Sequence, residues 1–405
     1  MLTIGLINEG KTPLDTRVAL TPAQCKWMVK NVPHVILVVE QSAHRCFSNT
    51  EYEKAGITVV TNLEQCDIIL GIKEVPYHNL IAHKTYLFFS HTIKKQPYNK
   101  KLLQTILQKN ITLIDYECLK HDDGQRVLGF GFFAGIVGAH NGMLYYGNRT
   151  NTFTLPRVYQ QKDYRSLIHS YFGLKLPNIK IAVTGSGRVA HGIIEVMNLM
   201  GIHELEPDDY IERAYTYPVY TVLKGADLYE HKVTKTYNRK QFHEDAAAYN
   251  CKFEKYIPHT DILMNGVYWD ADVPPLFTAE MLTSKAFNIK TISDITDDAH
   301  GSIPINLGDQ TIENPVYGVD KVTQQKTEPY LENSIDIIAV GNLPNELPRD
   351  ASRYFGEQLI KYVLEYVISG SSTLITNATI ATKGKLTKDY EYLGEWVGLI
   401  NKIEM

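Results

Sequence analysis

The sequence predicts an α/β protein built from two Rossmann-like, doubly wound parallel-sheet domains with an interdomain cleft. Three observations carry that expectation. Short runs that are apolar throughout alternate with helix-like segments, as strands buried on both faces by helices must. The alternation occurs as two separate series along 405 residues, enough chain for more than one core. The second series opens with a strand that runs straight into a glycine-rich turn and a helix.

The first series places strands at 2–7, 35–40, 67–72, 86–90 and 111–116. Between them lie helix-period stretches such as TPAQCKWMVKNV and NKKLLQTILQKN. Residues 131–148, GFFAGIVGAHNGMLYYGN, read as a helix rich in small residues and as the interdomain hinge. The second series has strands at 179–184, 202–205, 261–264, 291–293 and 335–340. The segment SRYFGEQLIKYVLEYVISG at 352–370 has amphipathic helical spacing and is expected to fold back on the first domain. The expected division is therefore 1–135 plus 340–405 as the substrate and catalytic domain, with 136–339 as the dinucleotide-binding domain.

Composition narrows the function classes. A net charge of −4 argues against a surface made to neutralise nucleic-acid phosphates. No apolar run approaches the ~20 residues of a membrane span, and MLTIGLINEG lacks the pattern of a signal peptide. Five cysteines without a CxxC pair fit a reducing, cytoplasmic compartment. The 14 histidines form neither HxH nor HExxH, so no metal is expected.

The strand IKIAVT enters Gly185-Ser186-Gly187-Arg188-Val189-Ala190, a G-x-G-x-x-A turn. The first glycine serves the tight turn, the second a close approach to pyrophosphate, and Ala190 close helix–strand packing. Free N–H groups at the following helix N-terminus favour an anion. Glu204 and Glu206 follow at about the spacing of the acid that holds the adenosine ribose. An acid there favours NAD, while Arg188 or a nearby histidine would accept a 2′-phosphate, so the residues leave NAD and NADP both open.

In open parallel sheets ligands sit beyond the carboxyl ends of the strands. In the first series those ends deliver Lys73 and Glu74, His91, and Glu117 followed by Arg126, while the loop after the first strand ends in Arg17. Ion pairing with Glu74 and Glu117 is the structural role open to the two arginines. Arginines also hold carboxylates bidentately, a lysine accepts a proton when burial and cations lower its pKa, and histidine exchanges protons near neutrality. Opposite a nicotinamide, this set suits reversible oxidation of a C–N bond in an amino-acid or dicarboxylic substrate.

The segments RVALTP, LGIKE, KTYLFFSHTIKKQ, LIDYE, QRVLGFGFFAG and VTGSGRV resemble the saccharopine dehydrogenase (lysine-forming) family, within the alanine dehydrogenase/transhydrogenase-like fold. NGVYWDADVPPL, SDITDDAHGSI, IENPVY and AVGNLPNELPRDASRYFGEQL look most like the lysine–2-oxoglutarate reductase domain that is fused to a second dehydrogenase in animals and plants. The resemblance covers nearly the whole chain and implies a stand-alone form. It implies catalysis by Lys73 as base and His91 as acid–base group, tuned by Glu117, with Arg17, Gln96, Arg126 and Phe130 contacting substrate. On the cofactor side it implies Gly185, Ser186, Gly187, Arg188, Val189, Glu206, Asn265, Gly266, Ser293, Asp294 and Thr296. One departure is Gln125, where the lysine-forming enzymes carry an arginine. The fungal enzymes imply NAD and the reductase domains NADPH, the latter being the nearer resemblance.

The implied activity is interconversion of L-lysine plus 2-oxoglutarate with saccharopine. The implied partners are these small molecules, with no nucleic acid, no membrane and an undetermined oligomer. An alanine dehydrogenase-like enzyme and a non-catalytic nucleotide- or amino-acid-binding homologue are the rival readings.

Overall fold

The computed structural model describes residues 1–308, 310–370 and 372–399. In chain order the first elements are β1 (Leu2–Leu6), α1 (Pro22–Asn31), β2 (Val35–Glu40), α2 (Asn49–Lys54), β3 (Thr58–Val60), β4 (Ile68–Leu70), β5 (Thr85–Phe88), α3 (Lys100–Gln108) and β6 (Thr112–Asp115). Next come α4 (Gly131–Thr150), α5 (Tyr164–His169), β7 (Lys180–Thr184), α6 (Arg188–Leu199), β8 (His203–Leu205), α7 (Pro207–Glu212) and β9 (Val219–Leu223). A hairpin of β10 (Tyr229–His231) and β11 (Tyr249–Cys251) surrounds α8 (Arg239–Glu244). Then follow β12 (Ile262–Asn265), β13 (Thr291–Asp294), β14 (Val316–Asp320), β15 (Lys326–Thr327), β16 (Ser334–Ile338), α9 (Pro348–Leu359), β17 (Thr379–Thr382) and β18 (Lys385–Leu386).

The chain divides into two compact units, residues 1–129 with 348–405 and residues 130–347. All of α4, and the turn after β16, therefore lie in the second unit, a few residues outside the expected division. The first unit holds a sheet ordered β18-β17-β6-β5-β4-β1-β2-β3. Its strands β1 to β6 pair in parallel, and β17 closes the sheet antiparallel on β6. Tyr86, Leu87 and Phe88 are fully buried, as a strand covered on both faces requires. The expected return of the 352–370 helix is found here: Phe355 of α9 packs against Phe89 and Tyr116, with ring centroids 6.1 and 5.2 Å away. α1 starts where its sequence says it must. Thr21 and Gln24 form a reciprocal capping box, and Pro22 occupies the first helical turn.

The second unit holds a sheet ordered β15-β14-β16-β13-β12-β7-β9-β8. Its central strands are parallel, and β14 runs antiparallel to β16. The small residues of α4 serve packing within this unit. A Cβ on Gly135 would lie 2.0 Å from the Val189 carbonyl oxygen, and one on Gly192 would lie 2.0 Å from that of Phe132. Further along, Gly138 and Gly142 let α4 lie against Ile295 and Ser293 of the sheet side. Among the described residues no helix is long and apolar enough to cross a membrane.

Candidate active site

The first unit gathers its polar groups at the carboxyl ends of β1, β4, β5 and β6, which are neighbours in the sheet. Beyond β4, the backbone N–H groups of Ile72 and Lys73 donate to the two carboxylate oxygens of Glu9, at 2.6 and 2.9 Å. This bidentate contact fixes the turn that carries Lys73. Burial raises the Glu9 carboxyl to about 8, opposed by these two N–H groups. Lys73 is lowered to about 8, first by burial and then by the charge of Arg17, with Asp15 pulling the other way.

His91 follows β5 in a left-handed conformation, φ 50°, which turns its ring off the strand axis. Its Nδ1 lies 2.7 Å from Glu74 Oε1, while Lys11 Nζ donates to Glu74 Oε2 at 2.6 Å. Glu74 thus bridges a cation and the histidine. Burial opposes its ionisation, but His91 and Lys11 outweigh that and hold it at about 2. A carboxylate on Nδ1 fixes the ring orientation and leaves Nε2 as the exchanging nitrogen. Beneath it, the Ser90 hydroxyl and N–H donate to Asp115, whose carboxyl burial raises to about 6.

Arg17 is buried at 2% exposure and pairs with Asp15 through Nε at 2.9 Å and Nη2 at 2.5 Å. Its carboxylate partner is therefore two residues away and is not Glu74. Burial opposes the ionised Asp15, yet Arg17 holds it at about 2. Arg126 does take Glu117, Nη2 to Oε1 at 2.6 Å, and Lys94 Nζ stands 3.5 Å from the same oxygen. Glu117 is 3% exposed and its Oε2 has no hydrogen-bond partner among the described residues, whereas the Arg126 side chain is half exposed. The Gln96 side-chain carbonyl accepts from Tyr98 and, at 3.5 Å, from Asn99. Phe130 caps α4 in the second unit. The sequence does not show Glu9 and Lys11 because their partners, Ile72 to Glu74, follow β4, which pairs with β1 across the sheet; Asp15 is a local partner of Arg17, whose expected carboxylate is Glu74.

In the second unit Gly185 adopts φ 103°, and a Cβ there would meet the Gly266 carbonyl oxygen at 2.6 Å. Gly187 precedes α6 and faces open space, with no atom within 4 Å of an added Cβ. Ser186 is exposed, and Arg188 and Val189 are half-buried. An uncovered N–H-lined turn at the start of a 12-residue helix fits a pyrophosphate.

The other expected cofactor residues divide by depth. Asn265, Ser293 and Asp294 are buried, each at 1% exposure or less. Asn265 Nδ2 donates to Asp294 Oδ1 at 2.8 Å and to Ser302 at 2.7 Å, and its Oδ1 accepts from Thr184 at 2.6 Å. Asn306 Nδ2 donates to the other Asp294 oxygen at 2.8 Å. Burial still raises Asp294 to about 6. Ser293 donates to the Gly138 carbonyl. These side chains brace the strand ends under the loop, while Gly266 and Thr296 are half-buried at its margin. Glu206 opens α7 at the end of β8 and is exposed. Among the described residues no group of three or more His, Cys, Asp or Glu could hold a metal ion, and all five cysteines are free thiols.

Comparison with known proteins agrees with this architecture. The model of the alanine dehydrogenase/PNT N-terminal domain matches residues 5–137, and that of the C-terminal domain matches 221–393. Mitochondrial alpha-aminoadipic semialdehyde synthase of Mus musculus is 30% identical over 96% of this chain, which spans 47% of that protein. The chain thus spans about half the length of that relative. Saccharopine dehydrogenase [NAD(+), L-lysine-forming] of Candida glabrata is 26% identical, over 89% of this chain and 90% of its own. An L-alanine dehydrogenase structure superposes with a TM-score of 0.64 at 14% identity, covering 98% of this chain and all of the other. With both domain models matched in chain order and the likeness to relatives running nearly end to end, this protein belongs to the alanine dehydrogenase/PNT family.

Proposed function

We propose that the chain is an NAD(P)-dependent oxidoreductase interconverting L-lysine plus 2-oxoglutarate with saccharopine. The observation that carries this is the pairing of a lysine lowered to about 8 with a carboxylate-held histidine at adjacent strand ends of one sheet. Relatives whose names state this chemistry or the semialdehyde step support the substrate class. The glycine turn of the second unit would hold the dinucleotide through Gly185 to Val189, with Gly266 and Thr296 at the margin. When bound, the dinucleotide supplies the hydride acceptor or donor.

The proton work falls to the first unit. In the oxidative direction neutral Lys73 takes the proton from the protonated secondary amine of saccharopine, so that the nitrogen lone pair forms the C=N bond as hydride departs. His91 then removes a proton from the water that adds to that carbon. It returns that proton to the nitrogen and then, again neutral, takes the hydroxyl proton as the carbinolamine collapses to 2-oxoglutarate and lysine. The Glu74 carboxylate keeps the ring oriented for both transfers. Arg126, half exposed and paired with Glu117 through Nη2, is a cation placed to turn to a substrate carboxylate, and Lys94 beside it shares that role. Arg17, buried on Asp15, acts on Lys73 through its charge as well as on substrate. Free thiols support a reducing, cytoplasmic setting.

The test follows nicotinamide absorbance with lysine and 2-oxoglutarate, using NADH and NADPH in turn, and then with pyruvate and ammonia. Turnover with the first pair and none with the second is expected. Absence of turnover with lysine and 2-oxoglutarate across neutral to alkaline pH would sink the proposal.

A further inference from the structure

The acid expected about 20 residues after the glycine turn is not where a ribose acid has to be. In the second sheet the strand beside β7 is β9, and β8 is the outer edge. Two strand spacings, roughly 10 Å, therefore separate β8 from β7. β8 also stops short. Its last residue, Leu205, is level with Thr221, whereas β9 and β7 continue to the aligned pair Leu223 and Thr184. Glu204 lies opposite Tyr220 and accepts its hydroxyl at 2.8 Å. Glu206 is thus displaced sideways and set back from the rim.

What reaches the rim beside the loop is the end of β9. The Leu223 carbonyl accepts the Gly185 N–H at 3.0 Å, so β9 is tied to the first glycine of the phosphate turn. The next residue is Lys224, exposed, followed by Gly225 at φ 50°. The remaining carboxylate of this turn, Asp227, is directed at its own backbone: its Oδ2 accepts the Lys224 N–H at 3.3 Å. In dinucleotide folds the strand end next to the glycine turn faces the adenosine ribose, where an acid takes the 2′-hydroxyl and a cation a 2′-phosphate. We infer that Lys224, at the end of β9, is the specificity-determining residue of the dinucleotide site and selects a 2′-phosphorylated adenosine, with Glu206 taking no part. This rests on the dinucleotide reading of the glycine turn proposed above.

The test is equilibrium binding by titration calorimetry with the intact protein, using adenosine 2′,5′-bisphosphate and 5′-AMP, which differ only in the 2′-phosphate. A charge-assisted contact corresponds to a preference of about tenfold or more for the bisphosphate. Lys224→Glu should abolish that preference by weakening the bisphosphate, with 5′-AMP bound as tightly or more tightly because the acid takes its 2′-hydroxyl, and Glu206→Gln should leave the preference as it is. Arg188→Ala, in the turn itself, should weaken both ligands alike. Equal or tighter binding of 5′-AMP by the wild type overturns the inference. So does a preference that survives Lys224→Glu, vanishes in Glu206→Gln, or vanishes only in Arg188→Ala. Failure of both nucleotides to bind at millimolar concentration overturns the dinucleotide reading, and this inference with it.

Discussion

Lys73 illustrates how a strand end makes a base out of an ordinarily charged side chain. A lysine is charged below its pKa, so lowering that value from 10.5 to about 8 makes the neutral amine available at a correspondingly lower pH. In the proposed reaction the oxidative direction needs that neutral amine. Its kcat/KM should therefore climb with pH through about 8 on one proton and level off above. Lys73→Met should lower kcat by roughly 10²–10⁴ and remove that limb. A pH–rate profile of both proteins checks it, and a variant that kept the limb would take Lys73 out of the base role. Lys73, His91 and Glu117 were legible in the sequence because each directly follows an apolar strand. Their partners were not. Glu9 and Glu74 meet residues 64 and 17 positions away through the pairing of β1 with β4 and β4 with β5, and nothing in a linear pattern states which strands are neighbours.

At the scale of elements, the crossing of α4 with α6 turns a sequence property into a constraint. Gly to Ala normally stabilises a helix interior by about 1 kcal/mol. At Gly192 the added Cβ would stand 2.0 Å from the Phe132 carbonyl oxygen, a backbone atom that cannot rotate away. Overpacking then outweighs propensity, typically by about 1–3 kcal/mol. Gly192→Ala should accordingly lower the midpoint of urea unfolding and weaken nucleotide binding, because α6 carries the phosphate turn at its N-terminus. An unchanged or raised midpoint would show that the helices part freely. The small-residue composition of α4 is legible in the sequence, but not that Gly135 and Gly138 face α6 and Ile295, because composition does not say which partner a glycine meets. The long buried strands were equally legible. β3, β9, β14 and β17 were not, since each is short or lies toward a sheet margin and owes its order to its neighbours' hydrogen bonds. Overlooking β9 had the largest consequence: without it, the residue after β8 stands falsely next to the glycine turn.

For the molecule as a whole, the two units differ in how they close. Residues 130–347 are continuous and contain the second sheet together with a core that includes Leu223, Phe253, Leu263 and Ile337. The first unit is assembled from both ends of the chain. Its core sets Ile380 and Leu393 among Tyr86, Phe88 and Leu103, and β17 supplies the hydrogen-bonded edge for β6. Deleting 348–405 would strip that edge and uncover Phe89 and Tyr116 where Phe355 now lies. Each large side chain uncovered forfeits about 1.5–3 kcal/mol, against a typical domain stability of about 5–15 kcal/mol. Several such losses exceed the margin. Fragment 130–347 should unfold in one cooperative urea transition, while fragment 1–129 should show no cooperative transition and bind a hydrophobic dye. Fusing 348–405 to 1–129 through a flexible linker should restore the transition, because the missing pieces then return to the same chain. Cooperative unfolding of 1–129 alone would mean that β17 and α9 decorate a core that β1 to β6 already complete.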